Sequence, residues 1–344
     1  MDARPSSDQR DLTNVAERLA TRLGPTAVGD LDDAERNLRL DSAVAQAGWR
    51  ELRAGSKHEP LASGVEAVIV ARALAHHACD TAYLGPLLAH DLLRRVGYEG
   101  PDLMATVVVD SSLRHMALAT GDSVVDRGLA IDAACARVGM VVCHSYTALS
   151  LGVVALGEMT SGVDLTRPVV NVMPGASVLP VVGTGAFDAD ALESWTALAV
   201  TLTAADLVGA MQGATELATA YAKQRRQYGA AIGSYQAVQH LLAEAATLIE
   251  GAASAVNYAG WAVDALPGVD ARSAAAVAKA YASRAALVVC ETSIQVHGGI
   301  GNTWECMAHV FLRRALLSTE LFGGAGPHMA LLAQQRWGAN HGLS

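Results

Sequence analysis

Two stretches near the C-terminus hold residue types from which a ligand site and an acid–base site can be built. QVHGGIGNTWE, Gln295 to Glu305, carries Gly298, Gly299 and Gly301. Glycines free the backbone to adopt positive φ and let a ligand approach closely. Gln295, and Gln236 on an earlier segment, each offer an amide that both donates and accepts, which suits an adenine edge or a ribose. Arg225 ends a long helical run and presents a planar fork that matches a phosphate. A helix starting near Thr303 would add free N–H groups facing a pyrophosphate. Taken singly, Arg225 could equally pair with a surface carboxylate, and HGGIG could be a plain turn. The second stretch is STELFGG, Ser318 to Gly324, with one carboxylate, Glu320, two residues before Phe322 and a glycine pair. A base that abstracts a carbon-bound proton needs a carboxylate within hydrogen-bond reach, its pKa raised by burial. Glu320 is the candidate there; Phe322 cannot ionise.

The elements that must position these residues follow from patterning. At 344 residues, half of them hydrophobic, the chain can form two or three domains or one large one. Abundant alanine favours helices. Apolar residues recur at helical spacing in DLTNVAERLATRL and from Gly64 to Gly97, with Asp11 and Ser63 as caps and Gly97 as a stop. From Pro101 the texture changes to short β-branched runs such as MATVVVD, ARVGMVVCHS and LSLGVVAL, punctuated by Gly, Pro and Asp. That pattern predicts a small, mostly antiparallel β-domain ending near Phe187. From Asp188 four long amphipathic segments, roughly 190–225, 235–266, 271–296 and 303–318, predict a four-helix bundle. The expected organisation is therefore α+β: a helical domain over 1–100, a reduced antiparallel β-domain over 101–187 and a helical bundle over 188–344.

Other features exclude functions. A net charge of −9 argues against a nucleic-acid binder. No apolar run is expected to span a bilayer, and the polar start MDARPSSDQRDL lacks a signal-peptide core. Five widely spaced cysteines without a CxxC read as reduced core residues of a cytoplasmic protein. His76 and His77 are adjacent on a helical run, where neighbours point in different directions, so they are not expected to chelate one metal. No metal site is expected. His328 reads as a structural or exposed loop histidine, and His240 as a core or interface one.

AYAKQRRQYGAAIGSYQAVQHLLAEAATLIE (Ala220 to Glu250), QVHGGIGNTWE and the following FLRRALL together resemble the C-terminal bundle of the acyl-CoA dehydrogenase family. AGWREL and ALAHHACDTAYLGPLLA are similar to its first helical domain. The likeness covers the whole order of domains and is strong over about 195–325. It implies that Arg225, Gln236, Gln295, Gly298 and Gly299 hold the adenosine-diphosphate part of an FAD bound by a neighbouring subunit. The family's flavin-face motif, an aromatic-x-x-Thr-Glu-Pro run followed by Gly-Ser-Asp, has no counterpart: MATVVVDSSLRHMALATGD stands in its place. Aligning Arg313 and Ala315 without a gap puts Phe322 where the family's catalytic glutamate belongs. Its alternative position falls near Ala199 and Val200. Glu320 could serve only if the loop were shortened by two residues.

These losses resemble the short, degenerate subunit of heteromeric α2β2 acyl-CoA dehydrogenases of actinobacterial steroid catabolism. The resemblance implies a partner subunit lacking a catalytic residue and sharing FAD with a second acyl-CoA dehydrogenase-like chain. The complex would oxidise an acyl-CoA, a sterol-derived one by analogy, to the 2,3-enoyl-CoA and pass electrons to electron-transfer flavoprotein. The alternatives are a self-sufficient homotetramer using Glu320 as base and a non-enzymatic scaffold of the same fold.

Overall fold

The computed structural model describes residues 4–144, 149–160, 162–184 and 187–338. The first helix, α1 (Ser7–Leu23), starts earlier than Asp11. The Ser6 hydroxyl accepts from the Gln9 N–H while the Gln9 side chain accepts from the Ser6 N–H, a reciprocal pair that satisfies two otherwise orphaned donors. A helix not anticipated from the pattern, α2 (Ala34–Gln46), follows behind an Asp33 cap. The long apolar run after Ser63 divides into α3 (Gly64–His76) and α4 (Leu84–Arg95). Ser63 caps α3, as expected, and Glu66 proves to be its capping-box partner. The break falls at Ala78, whose φ of +47° lies in the left-handed region. The α4 N-terminus is capped from outside: one Asp132 oxygen accepts from the N–H groups of Tyr83, Leu84 and Gly85 at 3.3, 2.8 and 3.3 Å. A carboxylate there also complements the positive end of the helix dipole.

Among the described residues, eight strands form the middle of the chain: β1 (Ala105–Asp110), β2 (Leu118–Thr120), β3 (Ser123–Val124), β4 (Gly128–Ala130), β5 (Val138–His144), β6 (Leu149–Ala155), β7 (Val170–Val172) and β8 (Val178–Pro180). Their order is β3-β2-β5-β1-β4-β7, with β6 on β5 and β8 on β6. Most pairs are antiparallel, but β5 runs parallel to both β1 and β2, so the sheet is mixed. Its valines and alanines, Val108, Val141, Val154 and Val170 among them, bury a core of their own.

The remainder is helical apart from a short hairpin of Arg226–Gln227 and Ala230–Ala231: α5 (Ala189–Gln224), α6 (Gln236–Ala265), α7 (Gly268–His297), α8 (Ala308–Glu320) and α9 (Ala325–Gly338). The fourth bundle helix thus begins at Ala308 rather than near Thr303, behind a 3-10 turn over Gly298–Asn302. The helix α9, beyond the four, was not anticipated. By length and composition α5 and α7 are apolar enough to cross a membrane, contrary to the expectation that no such run exists. Their apolar windows are 94% and 67% buried within the protein, and a helix apolar on every side belongs in a protein core as well as in a bilayer. The approach of α5 to α3 is very close: a Cβ on Gly213 would lie 2.2 Å from the His76 carbonyl oxygen.

Candidate functional site

The residues expected to hold a nucleotide come together at one end of the bundle. Arg225 is the C-cap of α5, Gln236 opens α6, and Gln295 and Gly298 close α7. These ends meet through a small apolar cluster of Ala218, Ala222 and Val296, flanked by Ile232, Val238 and Leu242. The Ile232 N–H donates to the Arg225 carbonyl at 2.8 Å, and Tyr221 stacks on His297 with ring centroids 4.6 Å apart. The ligand-type groups point outward. Arg225, Gln236, Gln295, Gly298 and Gly299 are all exposed. Gly298 has φ +66°, and a Cβ at Gly298 or Gly299 would meet nothing within 4 Å. Donors on an open surface beside a glycine turn fit an extended phosphate-bearing ligand. The helix start near Thr303, expected to add N–H groups, is absent because α8 begins five residues later.

The second candidate region is a cleft of about 510 Å³ between the sheet and the bundle, lined in part by Asp110, Arg114, His115, Trp195, Arg272 and Phe322. Phe322 is 2% exposed and meets the Trp195 ring edge-on, centroids 5.7 Å apart. Its backbone sits at φ +57°, a conformation that costs a bulky L-residue about 1–2 kcal/mol. Three contacts hold it there. Its N–H donates to the Leu113 carbonyl at 2.6 Å, His328 Nε2 lies 3.1 Å from the carbonyls of both Phe322 and Gly323, and Lys279 Nζ donates to the preceding Leu321 carbonyl at 2.8 Å. Glu320 does not line this cleft. It is exposed at the end of α8 beside Gly324, which leaves it a helix-end carboxylate.

Two of the carboxylates at the cleft, Asp110 and Glu193, are engaged, and the third, Asp126, is exposed. One Asp110 oxygen accepts from Ser112 Oγ at 2.8 Å and the Arg114 N–H at 3.0 Å, organising the turn after β1. Glu193 lies 3.6 Å from Arg272. Ser111 and Ser112 stand at that turn, in keeping with a strand end.

Beneath the loop lies a buried ionic network that was not anticipated. Asp206 on α5 accepts from Arg314 Nε and Nη2 at 3.1 and 2.7 Å and from Ser318 Oγ at 2.6 Å, with Arg167 3.4 Å away. Arg167 donates onward to Asp164 and Ser318, each at 2.6 Å. Burial pushes the Asp206 carboxyl up, but the Arg167 and Arg314 guanidiniums and the hydrogen bonds outweigh it and hold it below its ordinary range. Lys279 is fully buried and donates to Thr203 Oγ1, the Ser318 carbonyl and the Leu321 carbonyl. Burial pulls its pKa down to about 7 against the pull of Asp206 and Glu320. Asp206 is thus a structural anion, with no access to the cleft.

The histidines need two corrections. His328 is neither in a loop nor exposed: it lies on α9, 2% exposed. Of the two places expected for His240, its exposure on this chain excludes the core and not an interface. His76 and His77 do converge: both meet Glu17, with His76 Nδ1 3.2 Å and His77 Nε2 2.8 Å from the same carboxylate oxygen. They can do so because α3 ends at His76, and His77, at φ −103° and ψ 17°, has left the helical path.

A helical layer, a mixed sheet and a long-helix bundle with an exposed glycine turn at one end define the fold class of the flavin-dependent acyl-CoA dehydrogenases. Residues 198–336 match the model of the acyl-CoA dehydrogenase C-terminal domain, and the whole chain has the fold of solved acyl-CoA dehydrogenases. Over 129 residues the chain is 43% identical to acyl-CoA dehydrogenase FadE34 of Mycobacterium tuberculosis, a match covering 38% of this chain and 18% of that protein. The chain spans less than half the length of the curated relatives it matches. Among solved structures, the ChsE4–ChsE5 complex of Mycobacterium tuberculosis matches with a TM-score of 0.81 at 22% identity, covering 98% of this chain and 99% of that one. A Tcur3481–Tcur3483 steroid ACAD matches with a TM-score of 0.76 at 21% identity, covering 97% and 99%.

Proposed function

We propose that this chain is the partner subunit of a heteromeric FAD-dependent acyl-CoA dehydrogenase, acting on an acyl-CoA thioester with a sterol-derived acyl group. The observation that carries this reading is Phe322. It is buried in the cleft against Trp195 and fixed from three sides, and aligning Arg313 and Ala315 without a gap puts it where the family's glutamate belongs. A ring there cannot take up a proton, and Glu320 points elsewhere. On this reading the catalytic base comes from another chain of the same fold.

The open end of the bundle supports the other half of the proposal. FAD, when bound, supplies the flavin that accepts a hydride from the acyl chain. This chain's part is to bind its distal end: Arg225 to meet phosphate as a charged fork, Gln236 and Gln295 to satisfy adenine and ribose, and Gly298–Gly299 to let the ligand lie against the backbone. The resemblance to a two-component complex and to a steroid ACAD favours a heteromeric assembly and a sterol-derived thioester. Electron-transfer flavoprotein is the proposed acceptor.

The test is the visible spectrum of the chain expressed alone and together with a second acyl-CoA dehydrogenase-like subunit. Flavin absorption and acyl-CoA oxidation are expected only in the copurified complex. A yellow, active lone chain would overturn the assignment in favour of a homotetramer, and Glu320→Gln would then have to abolish activity. A colourless, inactive complex would favour a scaffold.

A further inference from the structure

Glu17 on α1, His76 at the end of α3 and His77 just beyond it place one ligand atom each within 4.8 Å of one another. A fourth group completes the arrangement. Glu216 on α5 approaches the far nitrogen of His76, Nε2, at 3.0 Å, one helical turn past Gly213, whose missing side chain lets α5 close on His76. His76 thus faces Glu17 through Nδ1, and its Nε2 lies beside a Glu216 oxygen without a formed hydrogen bond, close to the layout of a metal-bound imidazole with an outer carboxylate. Such outer carboxylates fix the tautomer and the ring orientation of metal ligands.

We infer that Glu17, His76 and His77 form a binding site for a zinc-like divalent cation, with Glu216 as the residue that orients His76. Two imidazoles and one carboxylate are a donor set suited to Zn²⁺ and similar borderline ions, and poorly suited to Mg²⁺ or Ca²⁺, which prefer oxygen. With both imidazoles neutral the four groups carry two negative charges, which one dication balances. Side-chain exposures of 31% for Glu17, 14% for His76 and 23% for His77 leave an entry path and room for water as a fourth ligand. The site joins α1, α3 and α5, so a bound ion would clamp the N-terminal helices to the bundle. It lies apart from both the glycine turn and the Phe322 cleft, and stands independently of the proposed dehydrogenase role.

The experiment is a Zn²⁺ titration of the chelator-stripped full chain, with bound metal counted by elemental mass spectrometry. One saturable equivalent is expected, together with a rise in melting temperature. Glu17→Gln and His77→Ala should each abolish that equivalent, and Glu216→Gln should weaken it by about 10–100-fold, the usual effect of losing an outer-shell partner. His58→Ala, at an exposed histidine in another loop, should leave it unchanged. Metal-free melting of each variant shows whether it folds, and His77→Gln replaces any that does not. No saturable binding would mean that the cluster is only a histidine–carboxylate ion pair, and an equivalent surviving both ligand variants would place the metal elsewhere; either result overturns the inference.

Discussion

The two ends of the C-terminal bundle treat their polar residues in opposite ways. At the α5–α7 end, Arg225, Gln236 and Gln295 stand in solvent beside an open glycine turn, and only a small apolar cluster lies behind them. At the α8–α9 end, the equivalent loop is locked: Phe322 is buried, its backbone bonded on both sides, and Asp206, Arg167, Arg314 and Lys279 are buried beneath it. One end keeps its groups free for something outside the chain. The other has used its groups on the chain's own fold. A subunit that lends half a binding site while carrying no reaction of its own would show this contrast, and the contrast can be tested by mutation.

The largest effect should come from Asp206. Asp206→Ala leaves the guanidiniums of Arg167 and Arg314 buried near each other without their shared anion. Breaking a buried pair in this way costs about 3–5 kcal/mol. The urea midpoint should fall by the corresponding amount at unchanged slope. A loss below about 1 kcal/mol would show that the closed end does not rest on this network.

Phe322 sharpens the same point through its backbone. Phe322→Ala removes a buried ring packed on Trp195, a loss of about 3 kcal/mol or somewhat more, yet keeps a Cβ at positive φ. Phe322→Gly loses the same ring but relieves the backbone, by about 1 kcal/mol. The glycine variant should therefore melt higher than the alanine variant, the reverse of the usual order. Equal or inverted melting temperatures would remove backbone strain from the account. If the partner supplies the flavin face, as proposed, Phe322→Glu should restore no dehydrogenation.

Much of this was legible in the sequence, for identifiable reasons. The long helices α5 to α7 follow from sustained apolar periodicity, and Ser63 with Glu66 is a local cap written in four residues. The placement of Gln295 and the glycine turn came from motif spacing. What escaped was set by tertiary contacts. The cap on α4 is Asp132, 48 residues away from Leu84, and the parallel pairing of β5 with β1 and β2 leaves no local mark. The ionic network did leave a signal: Asp206 in TAADLVGAM and Lys279 in AAVAKAYA are lone charges in apolar helices, and a charge on a buried face requires a buried partner. His76 and His77 misled because helical geometry was extended one residue past the helix end.

Acidification should loosen the closed end specifically. Burial, with the nearby charges of Arg272 and Lys279, holds His328 down to about 4 despite its hydrogen bonds to the Phe322 and Gly323 carbonyls. An unfolded histidine titrates near 6.5. Between pH 6.5 and about 4 the unfolded chain therefore binds a proton that the folded chain refuses, and stability falls as pH falls. The loss should approach roughly 2 kcal/mol by pH 5. His328→Gln keeps a donor for the two carbonyls and has no proton to gain, so its melting temperature should change less between pH 7 and 5 than that of the wild type. Identical slopes would place the acid sensitivity elsewhere.

The smallest stability effect should come from the open end. Arg225 is exposed at the α5 C-cap, where its backbone N–H donates to the Tyr221 carbonyl at 2.8 Å. Arg225→Ala keeps that bond and deletes only the solvated fork, so stability should stay within about 0.5 kcal/mol of the wild type, the usual range for surface changes. Flavin retention should not share this tolerance. If the fork grips a phosphate of FAD held by a second subunit, the variant complex should lose flavin on dilution or gel filtration while both chains remain folded and associated. Full flavin occupancy in an intact Arg225→Ala complex would mean that the open end is an ordinary surface. A large fall in melting temperature would mean that the two ends of the bundle differ less than their exposure suggests.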